Sequence, residues 1–160
     1  MFFRLQSLYL VLALACAFLN MNVYPFWRYE FYGADGSRLS EPMWLYGLAI
    51  FGRSGEVSLV FYAFNIALCL SALIALVSLF LFKNRKRQAM LCYVGTLVSF
   101  IAVAGALLAS FALKSKLGND AVESTPELGF YALMLIPILF FVAARAIAKD
   151  EEIATAYQRL

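Results

Sequence analysis

The sequence predicts an all-α membrane protein, a four-transmembrane-helix bundle with a short outer loop that is hairpin-like, interfacial or both. Three observations carry this. Apolar residues make up 64% of the 160-residue chain and charged residues only 14%, whereas a soluble domain is roughly half apolar and a quarter charged. The mean hydropathy is +0.80. The apolar residues also fall in four long runs, with the charges between the runs and almost never inside them.

The runs are expected at residues 7–23, 57–82, 89–113 and 128–148. Each is close to the ~20 residues that an α-helix needs to cross the hydrocarbon core. Open strands would leave unpaired amides in lipid, so the spans are read as helices of one membrane domain covering residues 1–160. The basic residues give the orientation. The run Lys83, Asn84, Arg85, Lys86, Arg87 joins spans two and three and holds four cations and no acid. Such a loop resists translocation. It falls on the same side as Arg4 and as Arg145, Lys149 and Arg159. The other side carries Arg28, Arg38, Arg53, Lys114 and Lys116, diluted by seven acids. Both termini are therefore expected in the cytosol of a multi-pass protein of the bacterial cytoplasmic (inner) membrane. Arg4 and the following apolar stretch also resemble a signal peptide, and Ala13-Leu14-Ala15-Cys16 resembles a lipoprotein cleavage site. The apolar run continues through Leu19, and an uncleaved helix is expected.

Residues 24–56 form the one sizeable outer loop. Trp27, Tyr29 and Phe31 alternate with Arg28, Glu30 and Tyr32, a period of two that predicts a strand. Gly33-Ala34-Asp35-Gly36 supplies turn chemistry, so a hairpin returning near Ser37 to Leu39 is expected. Ser40-Glu41-Pro42 looks like a helix start, and a short interfacial helix is expected from Met43 to Phe51, with Trp44 and Tyr46 at headgroup depth. Residues 114–127 are expected as a short polar loop, with Thr125 capping span four and Pro126 at its first helical position.

Composition narrows the chemistry. There is no histidine, which removes bis-histidine haem, the usual zinc and copper sites and histidine acid–base catalysis. Cys16, Cys69 and Cys92 form no CxxC pair and read as small apolar helix residues. No Asp, Glu, Lys or Arg stands in the middle of a span, which argues against ion-coupled transport. No catalytic, metal-binding or cofactor-binding residue is expected, and no cofactor. The net charge of +3 does not suggest nucleic acid. The expected partners are the lipid bilayer and other membrane subunits or further copies of the chain.

Three features invite structural roles. In span three Gly95, Ser99, Ala102, Ala106 and Ala109 recur at spacings of four, three, four and three, a small-residue seam for close packing on another helix. Asn65 in span two is a candidate intramembrane polar contact, and Asn20 and Asn22 stand near the outer end of span one. Pro137 in span four takes away an amide donor and crowds the carbonyl of Leu133, which favours a kink. The tail, residues 149–160, continues a helical pattern with Ile153, Tyr157 and Leu160 on one stripe. It reads either as a solvated amphipathic end or as a segment folded back on the inner face beside Arg4 and the loop from Lys83 to Arg87; the cytosolic rim is made of Arg4, Lys83, Arg85, Lys86, Arg87, Asp150, Glu151 and Glu152.

Three segments taken together carry a family likeness: Arg4-Leu5-Gln6-Ser7-Leu8-Tyr9-Leu10, Phe82-Lys83-Asn84-Arg85-Lys86-Arg87-Gln88 with Leu91-Cys92, and Lys149-Asp150-Glu151-Glu152-Ile153 followed by Gln158-Arg159-Leu160. In this layout the chain resembles a family of small bacterial four-helix integral membrane proteins catalogued as a domain of unknown function. Ala154-Thr155-Ala156-Tyr157-Gln158 departs from it in being less charged than the family's tail. The resemblance implies no activity and no catalytic residue. The expected role is a non-enzymatic structural or accessory subunit of a membrane complex. The alternative is a small transporter or lipid-handling protein that uses Asn65 and the aromatic loop around a cavity.

Overall fold

The computed structural model describes residues 5–33, 37–47, 50–51, 59–117 and 122–158. Arg4, Arg53, Arg159 and Leu160, the turn residues Ala34, Asp35 and Gly36, and the side chains of Asn22 and Tyr157 lie outside what it describes.

Long apolar runs bounded by polar residues give four helices: α1 (Leu5–Asn22), α2 (Leu59–Phe80), α3 (Arg85–Leu117) and α4 (Leu128–Gln158). Three of them, α2, α3 and α4, are long and apolar enough to cross a membrane, and α1 is a shorter apolar helix. At 1.5 Å per residue α3 and α4 each run to more than about 45 Å, well beyond the ~30 Å hydrocarbon core. Helix α1 packs on α4, α4 on α3 and α3 on α2, and a looser α1–α2 contact closes the ring. The core between them holds Leu10, Phe64, Leu68, Leu133, Ile136, Phe140 and Ile147. Outward-facing large apolar residues stud the helices, among them Ile66, Leu97, Ile101, Phe111 and Ile138.

At the end where α1 finishes and α2 begins, a four-stranded sheet caps the bundle. Its strands are β1 (Trp27–Phe31), β2 (Met43–Leu45), β3 (Ile50–Phe51) and β4 (Val122–Pro126), in the order β3-β2-β1-β4. The expected alternation in β1 is present in part: Trp27, Tyr29 and Phe31 are buried and Arg28 is half-exposed, but Glu30 is buried too. The expected hairpin reduces to one bridge, Tyr32 with Arg38, flanked by Gly33 N donating to Ser37 O and Leu39 N donating to Phe31 O.

Three expectations are corrected. Met43 to Phe51 is not a short interfacial helix. Met43 and Leu45 point inward and Trp44 outward, and pairing with β1 satisfies backbone groups that a helix there would leave open on that strand's edge. The polar loop at 114–127 is largely structured too. Helix α3 runs to Leu117, and Val122–Pro126 pairs antiparallel with all five residues of β1. Thr125 and Pro126 therefore belong to β4, Glu127 stands before the helix, and α4 starts at Leu128. Finally, the tail does not fold back: α4 is continuous from Leu128 to Gln158, through Pro137.

The sheet is stitched to the helices through main chain at close quarters. Gly47 N donates to Asn20 O and Gly129 N to Pro25 O. A Cβ on Gly47 would stand 2.5 Å from Asn20 O, and one on Gly129 2.6 Å from Pro25 O. Only glycine permits these approaches.

Candidate functional site

The chain's polar chemistry gathers in three places: the outer face of the sheet, the interior of the bundle, and the rim at the opposite end.

On the sheet, inward-facing aromatics hold the platform. Phe26 packs on Phe64 with ring centroids 5.0 Å apart, and Trp27 meets Phe130 edge-on at 5.5 Å. Tyr29, fully buried, donates its hydroxyl to the Ser110 carbonyl at 2.8 Å, and burial raises its phenol pKa. The alternate residues of β1 form an ion network on the other face. Glu30 accepts from the Tyr32 hydroxyl at 2.5 Å and from Arg38 Nη2 at 2.7 Å. Tyr32 first and Arg38 second hold its carboxyl below the usual carboxylate range, and Glu30 in turn raises the Tyr32 phenol. Arg28 Nε lies 3.1 Å from Glu127 Oε1, close enough for an ion pair but off the line of a hydrogen bond. Its guanidinium also sits over the Trp44 ring at 5.4 Å. Cations and acids are matched here, so the network braces β1, β2 and the start of α4.

Inside the bundle, all five seam residues of α3 are buried. Gly95 lies against Phe140 of α4, where a Cβ would stand 2.7 Å from Cε1. On the α2 side, a Cβ on Gly105 would meet the Phe64 main chain at 3.4 Å. The seam therefore packs within the bundle. Four interior hydroxyls bond along their own helices: Thr96 donates to Cys92 O, Ser99 to Gly95 O, Ser71 to Leu68 O and Ser110 to Leu107 O, whereas the buried Ser78 Oγ has no hydrogen-bond partner among the described residues. Asn20, fully buried, donates to Cys16 O, while its Oδ1 has no partner. Asn65 stands half-buried at a shallow apolar groove with Ile66, Cys69, Leu70 and Leu73. Its Oδ1 is buried without a partner, and no cross-helix bond from it occurs among the hydrogen bonds described.

At the rim the helix starts and ends converge. Gln6 of α1, buried, donates to Ala146 O and to Asp150 Oδ2 of α4. Arg85 at the start of α3 reaches the Asp150 carbonyl at 3.3 Å. Gln88, also buried, donates to Ser78 O at 2.9 Å, tying α3 to the end of α2. Of the residues predicted for the rim, Arg85 and Asp150 are thus brought together, while Lys83, Lys86, Arg87 and Glu152 are exposed and Glu151 half-exposed. Gln6 and Gln88 escaped the sequence reading. Their signal is a polar side chain inside the first turn of an otherwise apolar helix. Among the described residues no cluster of His, Cys, Asp and Glu could hold a metal ion.

The whole of this architecture falls inside one family match. Residues 3–160 match the family described as Domain of unknown function (DUF4293). The chain belongs to that family. The match takes in the sheet, the seam and the rim alike, so these are parts of one DUF4293 domain rather than additions to it. No curated protein matches the chain.

Proposed function

We propose that this DUF4293 protein crosses the bacterial cytoplasmic membrane four times, with both termini in the cytosol. It acts there as a non-catalytic structural or accessory subunit of a membrane assembly, joined to other membrane proteins or to further copies of itself. The observation that carries this reading is the rim. The cation-rich turn at 83–87 and the end of α4 lie together at the end away from the sheet, joined by Arg85 and Asp150. Cations concentrate on the cytosolic side of membrane proteins. Support also comes from the outward-facing apolar residues on α2, α3 and α4, and from the hydroxyls of Ser71, Thr96, Ser99 and Ser110, which are spent on their own helices. Although α1 has only 18 residues, its ~27 Å length comes close to the hydrocarbon thickness.

Affinity purification in a mild detergent, followed by identification of what comes with the chain, tests the role. Co-purification of further copies or of another membrane protein is expected. Recovery of a lone monomer in both detergent and lipid nanodiscs overturns it. Topology is read separately: tags at both ends should be reachable only from the cytosolic face.

One observation favours a second reading, a small transporter or lipid-handling protein. It is the unpartnered Asn65 Oδ1 at the apolar groove with Ile66, Cys69, Leu70 and Leu73. That oxygen accepts from a donor such as a headgroup hydroxyl or amine, while the amide nitrogen is free to donate to a lipid ester. A copurified lipid lost on Asn65→Leu would support that reading.

A further inference from the structure

The last stretch of α4 is exposed among the described residues. Among the described residues Ile147 is its last fully buried residue, and Asp150 makes hydrogen bonds to α1 and α3. Beyond that, Glu152, Ile153, Ala154, Thr155 and Ala156 are all exposed. A helical end that packs on nothing gains little, since most helical stability comes from tertiary packing. One face of this stretch is shaped. Ala148, Glu151, Glu152, Thr155 and Ala156 line a shallow groove, so small side chains and two carboxylates share it. That suits a lysine or arginine side chain, whose aliphatic stem lies on apolar surface while its head meets an acid.

The matching cations stand at the same end of the molecule. Lys83, Lys86 and Arg87 are exposed, and neither they nor Glu151 and Glu152 have an ion-pair partner among the described residues. Within one chain the loop and the tail meet differently, through the Arg85 guanidinium and the Asp150 main-chain carbonyl. All copies inserted in one bilayer share an orientation. The tail of one copy therefore projects at the level of its neighbour's basic loop.

We infer that two copies of the chain associate side by side, the Glu151–Glu152 face of each tail helix receiving Lys83, Lys86 and Arg87 of the other. The contact is reciprocal, the same two patches on both copies, which is the pattern of a two-fold dimer. This inference deepens the subunit role proposed above and rests on it, naming a second copy as the partner.

The test uses full-length chain carrying two different tags, co-expressed, extracted mildly and pulled down through one tag. Two charge-reversed variants are compared, E151K/E152K in the tail and K86E/R87E in the loop. The second keeps Lys83 and Arg85, and tag accessibility confirms its orientation in the membrane. Each variant alone should lose about tenfold in self-association, as expected where like charges are juxtaposed. The two variants expressed together should recover it, because the reversed tail then meets the reversed loop while the other contact keeps its native charges. Wild-type pairing should also weaken as salt is raised, since exposed ion pairs are screened. Pairing that survives in each variant alone, or a mixture that pairs no better than either, overturns the inference. Those outcomes leave the subunit role standing as long as wild-type chain still purifies with copies or other proteins. A lone wild-type monomer ends both.

Discussion

The Tyr29 hydroxyl donates to the Ser110 carbonyl at 2.8 Å, tying the central strand of the sheet to the far end of α3. Tyr29 is fully buried, so the bond cannot be exchanged for water. Tyr29→Phe keeps the ring and removes only the donor. It should cost about 1 kcal/mol, the net worth of a typical buried hydrogen bond. Thermal unfolding in detergent, followed by circular dichroism, measures this. No change in the midpoint would mean that the sheet is held by its aromatic contacts alone.

The seam makes a sharper demand on volume. With a Cβ of Gly95 placed 2.7 Å from Phe140 Cε1, Gly95→Ala must push α3 and α4 apart or drive Phe140 from its rotamer. Overpacking of this kind costs about 1–3 kcal/mol. Phe140→Leu in the same chain opens the space, so the double variant should be more stable than the sum of the single changes predicts. Strict additivity would show that Gly95 and Phe140 do not share a contact.

This seam is also where the sequence was most legible. Small residues spaced four, three, four and three apart can have only one face in common, and lipid supplies no reason to keep them together except close packing. The helices were legible for the same reason, as were the alternating Trp27, Tyr29 and Phe31. Strand β4 was not. Val-Glu-Ser-Thr-Pro carries no apolar alternation and ends in proline. It becomes a strand because β1 offers an open edge, a demand set nearly a hundred residues earlier in the chain. Strands β2 and β3, of three and two residues, are too short to show any period. The rim bond from Gln6 to Asp150 joins residues 144 apart, and only the relative lengths and packing of α1 and α4 bring them level.

The ion network on the sheet should show in the pH dependence. The Glu30 carboxyl lies below its ordinary value of 4.5 because Tyr32 and Arg38 bond its charged form. A group depressed on folding contributes stability that is fully present above its unfolded value and lost as pH falls through its folded value. The sheet should therefore loosen as pH falls below about 4.5, with Trp27 and Trp44 fluorescence as the readout. Glu30→Gln should be less stable at neutral pH and flatter across that acid range. An acid transition equally steep in wild type and variant would assign it to other carboxylates.

At the rim, Asp150 and Glu152 of the tail should separate by role. Asp150 receives Gln6, so Asp150→Ala leaves a buried amide with one acceptor fewer and should cost about 1–2 kcal/mol. Exposed Glu152 makes no ion pair among the described residues, and Glu152→Ala should fall within about 0.5 kcal/mol of wild type. Equal losses in the two variants would contradict this division between a residue that holds the bundle and one that faces outward.

Asn65 offers the cleanest separation of the two functional readings. Its buried Oδ1 accepts nothing from a neighbouring helix among the described residues, and an unsatisfied buried acceptor costs about 1–3 kcal/mol. If the amide has no further partner in the membrane, Asn65→Leu removes that cost and adds apolar surface beside Ile66, Cys69, Leu70 and Leu73. The variant should then unfold at the same temperature as wild type or higher, and keep the same complement of copurified lipid by native mass spectrometry. A variant that is less stable by more than about 1 kcal/mol, beyond what an unpartnered group can contribute, would reveal a bond made only in the membrane. A variant that is stable but stripped of a particular lipid would move the assignment to the lipid-handling reading, because a lipid hydroxyl or amine donor would then have been using the acceptor.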